Sequence, residues 1–376
     1  MIFYRSRVDF LQLAERVGPI LGFLVCITVI AELADMIGVF RVLAYGAARI
    51  ARGSVLVLWL LVVVVSTAAS AVLSLDTTAV LITPVVLVLA RRLGLNLGLF
   101  AFTAVWLANT ASVIFPVSNL TNLLAMSWLR TSVSGGAAAS SVGGFARLMW
   151  PAATAAFLIT VAALAVIYRK SLAGTYQMPG WRPVRDRPLL IIAGVVCAGL
   201  GPAFAAGVSV FLAAAIGAVI LVTACAVRNR GLLSWKLLPW KTVLGVAILF
   251  LVVQLAQDHG LARVLGEVAG RGDAAPELLR FGAVATGGAN LINNLPAYLA
   301  LEPLADSLPR MAVLLVGVNA GPLILPWGSL ATLLWAGRCR AAGVRVPWGR
   351  FIRRGLILVP LLLIGCTAAT VLVHGT

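Results

Sequence analysis

Long apolar runs separated by short polar segments dominate this chain of 376 residues. Runs such as Val55–Val65 and Ala152–Ile167 are long enough, alone or extended, to cross the hydrocarbon core of a bilayer. The pattern predicts about eight spanning segments, at residues 17–37, 99–129 (broken), 145–168, 189–206, 208–227, 241–259, 311–336 (broken) and 354–374. Two further segments, about 54–92 and 279–304, are predicted to be re-entrant hairpins that enter and leave on one side.

Polar residues and helix breakers recur inside the apolar sequence in two matching sets. The first set runs through 74–78 and 108–122, and the second through 291–296 and 318–332. Matched positions are 210 residues apart, as in Asn109 and Asn319, Pro116 and Pro326, and Asn119 and Ser329. A bilayer tolerates irregular backbone only where it is buried in protein or lines a cavity, and paired interrupted segments mark the binding sites of transporters. The two sets therefore predict one site near the midplane.

The order of elements indicates that the two sets belong to inverted repeats. The stretch from Leu21 to Asp35 is similar to the stretch from Leu244 to Asp258, and each begins a unit of spanning helix, hairpin, broken helix and further helix. Five predicted membrane crossings separate the start of the first copy from the start of the second. Because this number is odd, the second copy is predicted to be inverted. The predicted boundaries are 1–170 for the first repeat, 171–240 for a connecting loop with two spanning helices, and 241–376 for the second repeat. The predicted fold class is an all-α integral membrane protein.

Composition supports this assignment, because 61% of residues are hydrophobic, 11% are charged and mean hydropathy is +1.05. Soluble domains carry roughly 25% charged residues. The net charge of +17 follows topology rather than nucleic-acid binding, since 20 of the 29 Lys and Arg fall in the predicted loops 38–54, 91–98, 169–188, 228–241 and 338–354. The positive-inside rule places these loops in the cytoplasm, which predicts a multi-pass protein of the cytoplasmic membrane with both termini outside.

The sequence predicts neither an enzyme nor a cofactor. It contains no glycine-rich phosphate loop of the kind that nucleotide hydrolysis requires. The five cysteines are scattered without metal-ligand spacing and are interpreted as packing residues, with contacts to a soft metalloid as the alternative. A secondary transporter without a metal site is therefore expected.

Asp76 is the only acidic residue within the four polar breaks. It lies between the apolar runs Val62–Leu73 and Ala79–Ala90, where a charged side chain costs several kcal/mol unless it is paired or solvated. At a hairpin tip it could bind a cation or carry a proton, or it could cap the second arm. We expect Asp76 and the neighbouring Thr77 to couple ion or proton movement to transport.

The other breaks supply neutral polar groups for a solute. The predicted binding residues are Ser118, Asn119, Thr121, Asn293, Asn294, Gly328 and Ser329. Amides and hydroxyls suit an uncharged polyhydroxylated solute or a carboxylate, and each helix that restarts after a proline points its positive N-terminus at the gap. The alternative is that these residues form proline kinks with capping side chains. Asn109 and Asn319 are expected to support the site through hydrogen bonds between helices.

These motifs resemble the arsenite and antimonite efflux permeases of the ion transporter superfamily. The similar segments are Asp76–Pro84, Trp106–Ser112, Val117–Asn122, Asn293–Pro296 and Pro326–Trp335, and the resemblance extends over about residues 17–374. It implies export of neutral trivalent arsenic or antimony hydroxide in exchange for protons. A homodimer and a cytoplasmic ATPase subunit are the protein partners that it suggests. The chain departs from the family pattern at Leu75, where asparagine is usual, and about two N-terminal spanning helices of the family are expected to be absent.

Two other functions stay open on the sequence. Sodium-coupled dicarboxylate symporters share the implied fold, so a sodium-coupled carrier of carboxylates or other anions is the first alternative. A membrane scaffold that binds a partner protein without transport is the second. The negative charge of Asp76 and the lack of Lys and Arg in the four breaks favour a neutral solute over an anion.

Overall fold

The computed structural model describes the backbone of residues 2–132, 141–177, 186–259 and 261–374. Apart from one isolated β-bridge between Ser54 and Thr175, the regular structure of these residues is helical. The helices up to residue 172 are α1 (Ile2–Ile37), α2 (Val39–Ile50), α3 (Val55–Leu73), α4 (Thr83–Arg92), α5 (Leu97–Thr110), α6 (Leu120–Ser132) and α7 (Val142–Leu172). Those that follow are α8 (Arg187–Ala205), α9 (Val210–Arg228), α10 (Trp240–Asp258), α11 (Leu261–Ala269), α12 (Ala275–Ile292), α13 (Asn294–Leu301), α14 (Leu308–Asn319), α15 (Leu330–Ala341) and α16 (Trp348–His374).

Six helices of the described chain are long and apolar enough to cross a membrane. They are Gly18–Ile37 of α1, α3, α7, Arg187–Phe204 of α8, α9 and α16. Five of them match predicted spans, and α3 is the first arm of the first predicted hairpin. The shorter apolar helices α5 and α14 end at the predicted breaks. The prediction of an all-α membrane fold is confirmed.

Two segments that the sequence assigned to loops are partly helical. Helix α2 lies within 38–54, and α11 lies within 260–280. In α2 the apolar residues Val39, Phe40 and Ala44 are buried, while Arg41 and Arg49 are exposed. Such an amphipathic helix carries enough polar residues to be taken for a loop, although its apolar face packs against the protein.

The first hairpin begins and ends on the same face of the protein. At its start, Ser54 pairs with Thr175, and just beyond its end the Asn96 side chain donates a hydrogen bond of 3.0 Å to Ser171. Both ends therefore lie beside the segment 171–175. We call this side the basic face, and it is defined by residues 91–98, 169–176 and 342–354.

The second hairpin also begins and ends on one face, where a buried arginine joins its two ends. The Arg310 guanidinium donates to the carbonyl oxygens of Gly270 at 3.0 Å, Gly272 at 3.1 Å and Leu304 at 2.9 Å. Gly270 and Gly272 precede α12, and Leu304 follows α13. These bonds hold the beginning and the end of the hairpin together.

Packing against α16 shows that the second hairpin enters from the face opposite the basic face. Helix α16 starts at the basic face and ends at His374, whose Nε2 lies 3.0 Å from the Leu148 carbonyl oxygen near the start of α7. Gly282 of α12 lies against Leu363 in the second half of α16, whereas Leu323 lies against Gly355 in its first half. Since α12 and α14 run in the same direction, α12 starts near the His374 end. The two hairpins thus enter from opposite faces.

Each hairpin turns at a residue with a strained backbone. Ser74 has φ 118° and ψ 162°, and Asn293 has φ 85° and ψ 158°. This region is essentially restricted to glycine, costs of order 1–3 kcal/mol for other residues, and is concentrated at functional sites. The first turn lies two residues before Asp76, which the sequence placed at the tip, and the second is at the predicted Asn293.

Each broken helix has an extended residue at the point where the helix restarts. In the first, α5 ends at Thr110, short 3₁₀ turns follow, and Asn119 (φ −154°, ψ 149°) precedes α6. In the second, α14 ends at Asn319 and Ser329 (φ −138°, ψ 150°) precedes α15. Proline lies inside both gaps, at Pro116 and Pro326, and each lacks the amide hydrogen that would continue a helix.

We predict that the ends of each hairpin react from one side of the membrane and that the two hairpins react from opposite sides. The exposed positions Arg49 and Arg92 flank the first hairpin, and the exposed positions Arg271 and Pro303 flank the second. In a cysteine-free background, single cysteines at these positions are labelled with a membrane-impermeant maleimide in right-side-out and everted vesicles. Labelling of Arg49→Cys and Arg92→Cys from different sides would contradict the re-entrant arrangement.

Candidate functional site

The side chain of Asn319 joins the two broken helices. Its Oδ1 accepts hydrogen bonds from Asn119 Nδ2 at 2.7 Å and from the Thr121 hydroxyl at 2.8 Å. Its Nδ2 donates to Asn122 Oδ1 at 2.7 Å. All four side chains are buried, so the network is made of neutral groups shielded from water.

Asn122 supports the open backbone of the first break. Its Nδ2 donates to the carbonyl oxygens of Ser112 at 2.7 Å and Phe115 at 2.8 Å, which lie where the helical ladder is interrupted. Asn122 was not among the site residues predicted from the sequence. A signal was available, because Asn122 lies 210 residues before Thr332 and each follows the matched pair Asn119 and Ser329 by three positions.

Asn290 supports the open backbone of the second break in the same way. It was also not among the site residues predicted from the sequence. Its Nδ2 donates to Gly321 O at 3.0 Å, and its Oδ1 accepts from the amides of Ile324 at 3.2 Å and Leu325 at 2.9 Å. It lies one helical turn before the hairpin turn at Asn293, and an asparagine inside an apolar arm is a signal that was available. One side chain thereby satisfies three backbone groups that the break leaves open.

Two of the predicted binding residues anchor the hairpin tips to the breaks. The Ser118 hydroxyl donates to Ala71 O at 3.2 Å, and Asn293 Nδ2 donates to Trp327 O at 2.9 Å. Gly328 fits closely against the Pro322 carbonyl and the Asn290 amide, where a Cβ atom would come within 3.1 Å of both. Ser118, Asn293 and Gly328 therefore shape the site through packing and anchoring.

Two other predicted residues, Asn119 and Ser329, act as helix caps. Asn119 Oδ1 accepts from Thr121 N at 3.4 Å, and Ser329 Oγ accepts from Thr332 N at 3.1 Å. At the first tip, Thr77 N donates to Ser74 Oγ at 3.3 Å, so Thr77 is held within the turn. Since buried helix ends need such partners, the capping interpretation describes one role of Asn119 and Ser329.

Asp76 and Asn294 differ from these residues, because neither side chain has a hydrogen-bond or ion-pair partner in the part of the chain that the structure describes. Asp76 is half-buried just after the turn at Ser74, and Asn294 is buried just after the turn at Asn293. The segment Leu75–Thr77 contacts α15, and α13 contacts α6. Each tip therefore lies beside the restarted helix of the other repeat.

Asn109 does not form the hydrogen bond between helices that the sequence predicted. Its Nδ2 donates to Val105 O of the same helix at 2.9 Å, while its Oδ1 is buried and has no partner among the described residues. Asn319 forms the predicted bonds between helices because Asn119, Thr121 and Asn122 face it. We call the place where these four side chains join the two broken helices the crossing. The residues matched to those partners include Ser329 and Thr332, whose short side chains hydrogen-bond to each other at 3.0 Å.

The charges and sulfur atoms around the site limit its chemistry. The four breaks contain Asp76 and no Lys or Arg. Among the residues searched, which are the described ones, no group of three or more His, Cys, Asp or Glu side chains could hold a metal ion. The five cysteines are free and lie on α1, α8, α9, α15 and α16, outside the breaks. The arrangement can bind a neutral solute through hydroxyls and amides and can bind one proton or cation at a carboxyl group.

The chain is similar to several membrane transporters. A family model described as citrate transporter matches residues 10–337. An arsenical pump membrane protein of Escherichia coli is 28% identical over 374 residues, covering 92% of this chain and 84% of that protein. An uncharacterized transporter of Mycobacterium tuberculosis is 26% identical over 364 residues, covering 90% of this chain and 82% of that protein. Among solved structures, the YdaH transporter of Alcanivorax borkumensis has the same fold, with a TM-score of 0.55, 16% identity and coverage of 97% of this chain and 88% of that chain.

A comparison of the matched residues Asn109 and Asn319 tests whether Asn319 holds the two broken helices together. Asn319→Ala removes the hydrogen bonds that Asn119 Nδ2, the Thr121 hydroxyl and Asn122 Oδ1 make to the Asn319 amide, so we expect it to lower the free energy of unfolding by roughly 2–4 kcal/mol. Asn109→Ala removes only a bond within one helix and an unpaired oxygen, so its expected effect is below about 1.5 kcal/mol. Unfolding of the purified proteins in mixed micelles, titrated with SDS, measures both. Equal effects would show that Asn319 does not hold the repeats together.

Proposed function

This chain belongs to the citrate transporter family, and we propose that it is a secondary transporter that exports trivalent arsenic or antimony hydroxide across the cytoplasmic membrane in exchange for protons. The observation that carries the proposal is the neutral crossing at Asn319, together with one polar side chain at each hairpin tip, Asp76 and Asn294, that has no partner among the described residues. The arsenical pump membrane proteins of similar sequence support the choice of solute.

The chemistry of the site suits an uncharged trihydroxide. Such a solute has three hydroxyl groups, each of which can donate and accept a hydrogen bond, as an amide side chain can. Asn294 offers both an amide donor and an acceptor at the second tip. A dianion or trianion would instead be transferred into breaks that hold a carboxyl group and no Lys or Arg, which carries a large desolvation penalty.

The exchange of solute for protons follows from the single carboxyl group at the first tip. An ionised Asp76 accepts hydrogen bonds from hydroxyl groups of the solute, whereas a protonated Asp76 has lost part of that acceptor capacity. Proton and solute then weaken each other's binding, and by linkage the effect is reciprocal. Such competition between proton and solute at one site supports exchange of one for the other.

We also propose an orientation. The basic face lies on the side of the predicted loops that together hold 20 of the 29 Lys and Arg, so we assign it to the cytoplasm, which places both termini outside. The homodimer and the cytoplasmic ATPase subunit suggested by the family resemblance stay predictions.

Removing the charge of Asp76 is expected to uncouple transport. In Asp76→Asn the isosteric amide keeps the fold but cannot exchange a proton, so arsenite accumulation in everted vesicles should no longer respond to an imposed pH gradient. Glu32→Gln serves as the control, because Glu32 lies on α1, near Arg338 at 3.9 Å and outside the breaks. Proton-driven accumulation at the normal level by Asp76→Asn, at normal expression, would remove Asp76 from the mechanism.

Asn294 and Ser329 are expected to affect different measurements. Asn294→Ala removes a side chain that has no partner among the described residues, so solute binding should weaken by roughly 1–3 kcal/mol while the free energy of unfolding changes little. Ser329→Ala removes a helix cap, so it should lower the free energy of unfolding by about 0.5–2 kcal/mol in addition to any effect on binding. Arsenite binding and SDS unfolding, measured on the same preparations, separate the two. A stable Asn294→Ala variant with unchanged affinity would contradict the assigned role.

Replacing all five cysteines by alanine is expected to preserve arsenite resistance. The thiols lie outside the breaks, and hydroxyls and amides carry recognition in this account. Resistance of cells that express the cysteine-free chain, with insertion checked by immunoblot of membranes, measures the outcome. A stably inserted variant without resistance would restore recognition by thiolates.

A sodium-coupled carboxylate carrier is the second candidate, and one observation favours it. The buried Asn109 Oδ1 is an acceptor without a donor among the described residues, and amide oxygens are suitable ligands for a hard cation. The family description as citrate transporter is consistent with this alternative. Citrate uptake that depends on a sodium gradient, and that is lost in Asn109→Ala, would favour it over arsenite export.

A further inference from the structure

A polar cavity lies at the basic face, away from the crossing. Its volume is 460 Å³, within the range of roughly 300–1,000 Å³ that is usual for small-molecule sites. It is enclosed by the start of α5, the end of α7, the second half of α15, and the segment that leads into α16. The transport mechanism proposed above makes no use of it.

The charges of this cavity are of one sign. Its lining includes Arg169, Lys170, Arg345, Arg350 and Arg354, and none of its lining residues is acidic. The ion pairs found among the described residues involve Arg228, Arg310 and Arg338, and none involves these five cations. Five positive charges around one cavity repel one another unless an anion lies between them.

One of the five cations is held in a fixed position. Arg354 Nη1 donates to the Tyr168 hydroxyl at 2.7 Å, and the guanidinium lies 4.9 Å from the ring centre of Phe102 and 5.0 Å from that of Tyr168. Tyr168 itself has a non-helical backbone (φ −111°, ψ 16°), which ends the straight part of α7 just before Arg169 and Lys170. A guanidinium fixed by aromatic rings loses less entropy when it binds a planar or tetrahedral oxyanion.

We propose that this cavity binds the phosphate group of an anionic phospholipid. Arginine binds phosphate oxygens through paired, charge-assisted hydrogen bonds, and basic pockets between transmembrane helices are suited to anionic headgroups. The N-terminus of α16 also lies at the cavity, and its partial positive charge acts in the same direction as the arginines.

The position of the cavity favours a lipid over a soluble phosphate. Ile167 lines the cavity and is 37% exposed, and its neighbour Val166 is 70% exposed. In a membrane protein, exposed apolar side chains on a spanning helix face the acyl chains. The cavity therefore joins a surface for acyl chains to a cluster of cations at headgroup depth, which matches the two parts of a phospholipid.

The test is competition binding to the full chain purified in a neutral detergent. A phosphatidylglycerol with a fluorescent acyl chain is the probe, and unlabelled phosphatidylglycerol, phosphatidylcholine and inorganic phosphate are the competitors. The double variant Arg345→Gln/Arg350→Gln removes two exposed cations of the cavity, so the fold is not at risk. The control variant Arg49→Gln/Arg92→Gln removes the same charge from exposed positions of the same face outside the cavity.

We expect unlabelled phosphatidylglycerol to compete and phosphatidylcholine not to compete, with affinity at least roughly tenfold weaker in the cavity variant and unchanged in the control. Competition by inorganic phosphate at equal concentration would assign the cavity to a soluble phosphate and overturn the assignment to lipid. Equal loss in both variants would show that net charge alone attracts the lipid. Unchanged affinity in the cavity variant would also overturn the proposal.

Discussion

Three hydrogen bonds to the buried amide of Asn319 hold two interrupted helices together inside an apolar protein. An open backbone at membrane depth is stable only if protein groups satisfy it. Asn122 satisfies the first break and Asn290 the second. Because these residues are neutral, the centre of the protein has polar groups without the desolvation penalty of buried charges. The hairpin tips are then anchored to this crossing through Ser118 and Asn293.

The two repeats have the same backbone plan but different chemistry. Both hairpins turn at a residue with positive φ, and both broken helices restart after an extended residue. However, the first tip presents a carboxyl group at Asp76, whereas the second presents an amide at Asn294. The second repeat supplies Asn319 to the crossing, whereas Asn109 of the first keeps an unpaired oxygen. In the proposed mechanism, this asymmetry lets one tip exchange a proton while the other binds a neutral solute.

The sequence predicted where the helices break more reliably than what each polar side chain does there. Prolines and asparagines inside apolar runs placed the gaps at Pro116 and Pro326, because their backbone chemistry acts locally. The partners of Asn319 could not be predicted in this way, since Asn119 lies 200 positions away and tertiary packing decides which side chains meet. The roles of Asn122 and Asn290 were missed for another reason, because the matched position of Asn122 and the apolar surroundings of Asn290 were signals that the prediction did not use.

Side-chain length also determines which hydrogen bonds two matched residues form, and the matched spacing in the sequence does not show this. The 210-residue offset pairs Asn119 with Ser329, yet only the asparagine reaches across the crossing, and the serine caps its own helix. Amphipathic helix α2 was assigned to a loop because its polar face resembles a loop in composition. The matched spacing located Asn119 and Ser329 but not their roles, whereas the assignment of the whole segment 38–54 to a loop was wrong.

The most direct test of the central claim uses the purified chain in proteoliposomes that enclose a pH-sensitive dye, with sodium absent and no pH gradient at the start. Valinomycin and equal potassium on both sides compensate the charge that moves when a neutral solute is exchanged for protons. An imposed arsenite gradient is the only driving force. If the neutral crossing exchanges arsenite hydroxide for protons, the downhill flow of arsenite drives protons in the opposite direction, and the internal pH changes in proportion to the arsenite moved. Arsenite flux without a pH change, or flux that begins only when sodium is added, would contradict the account.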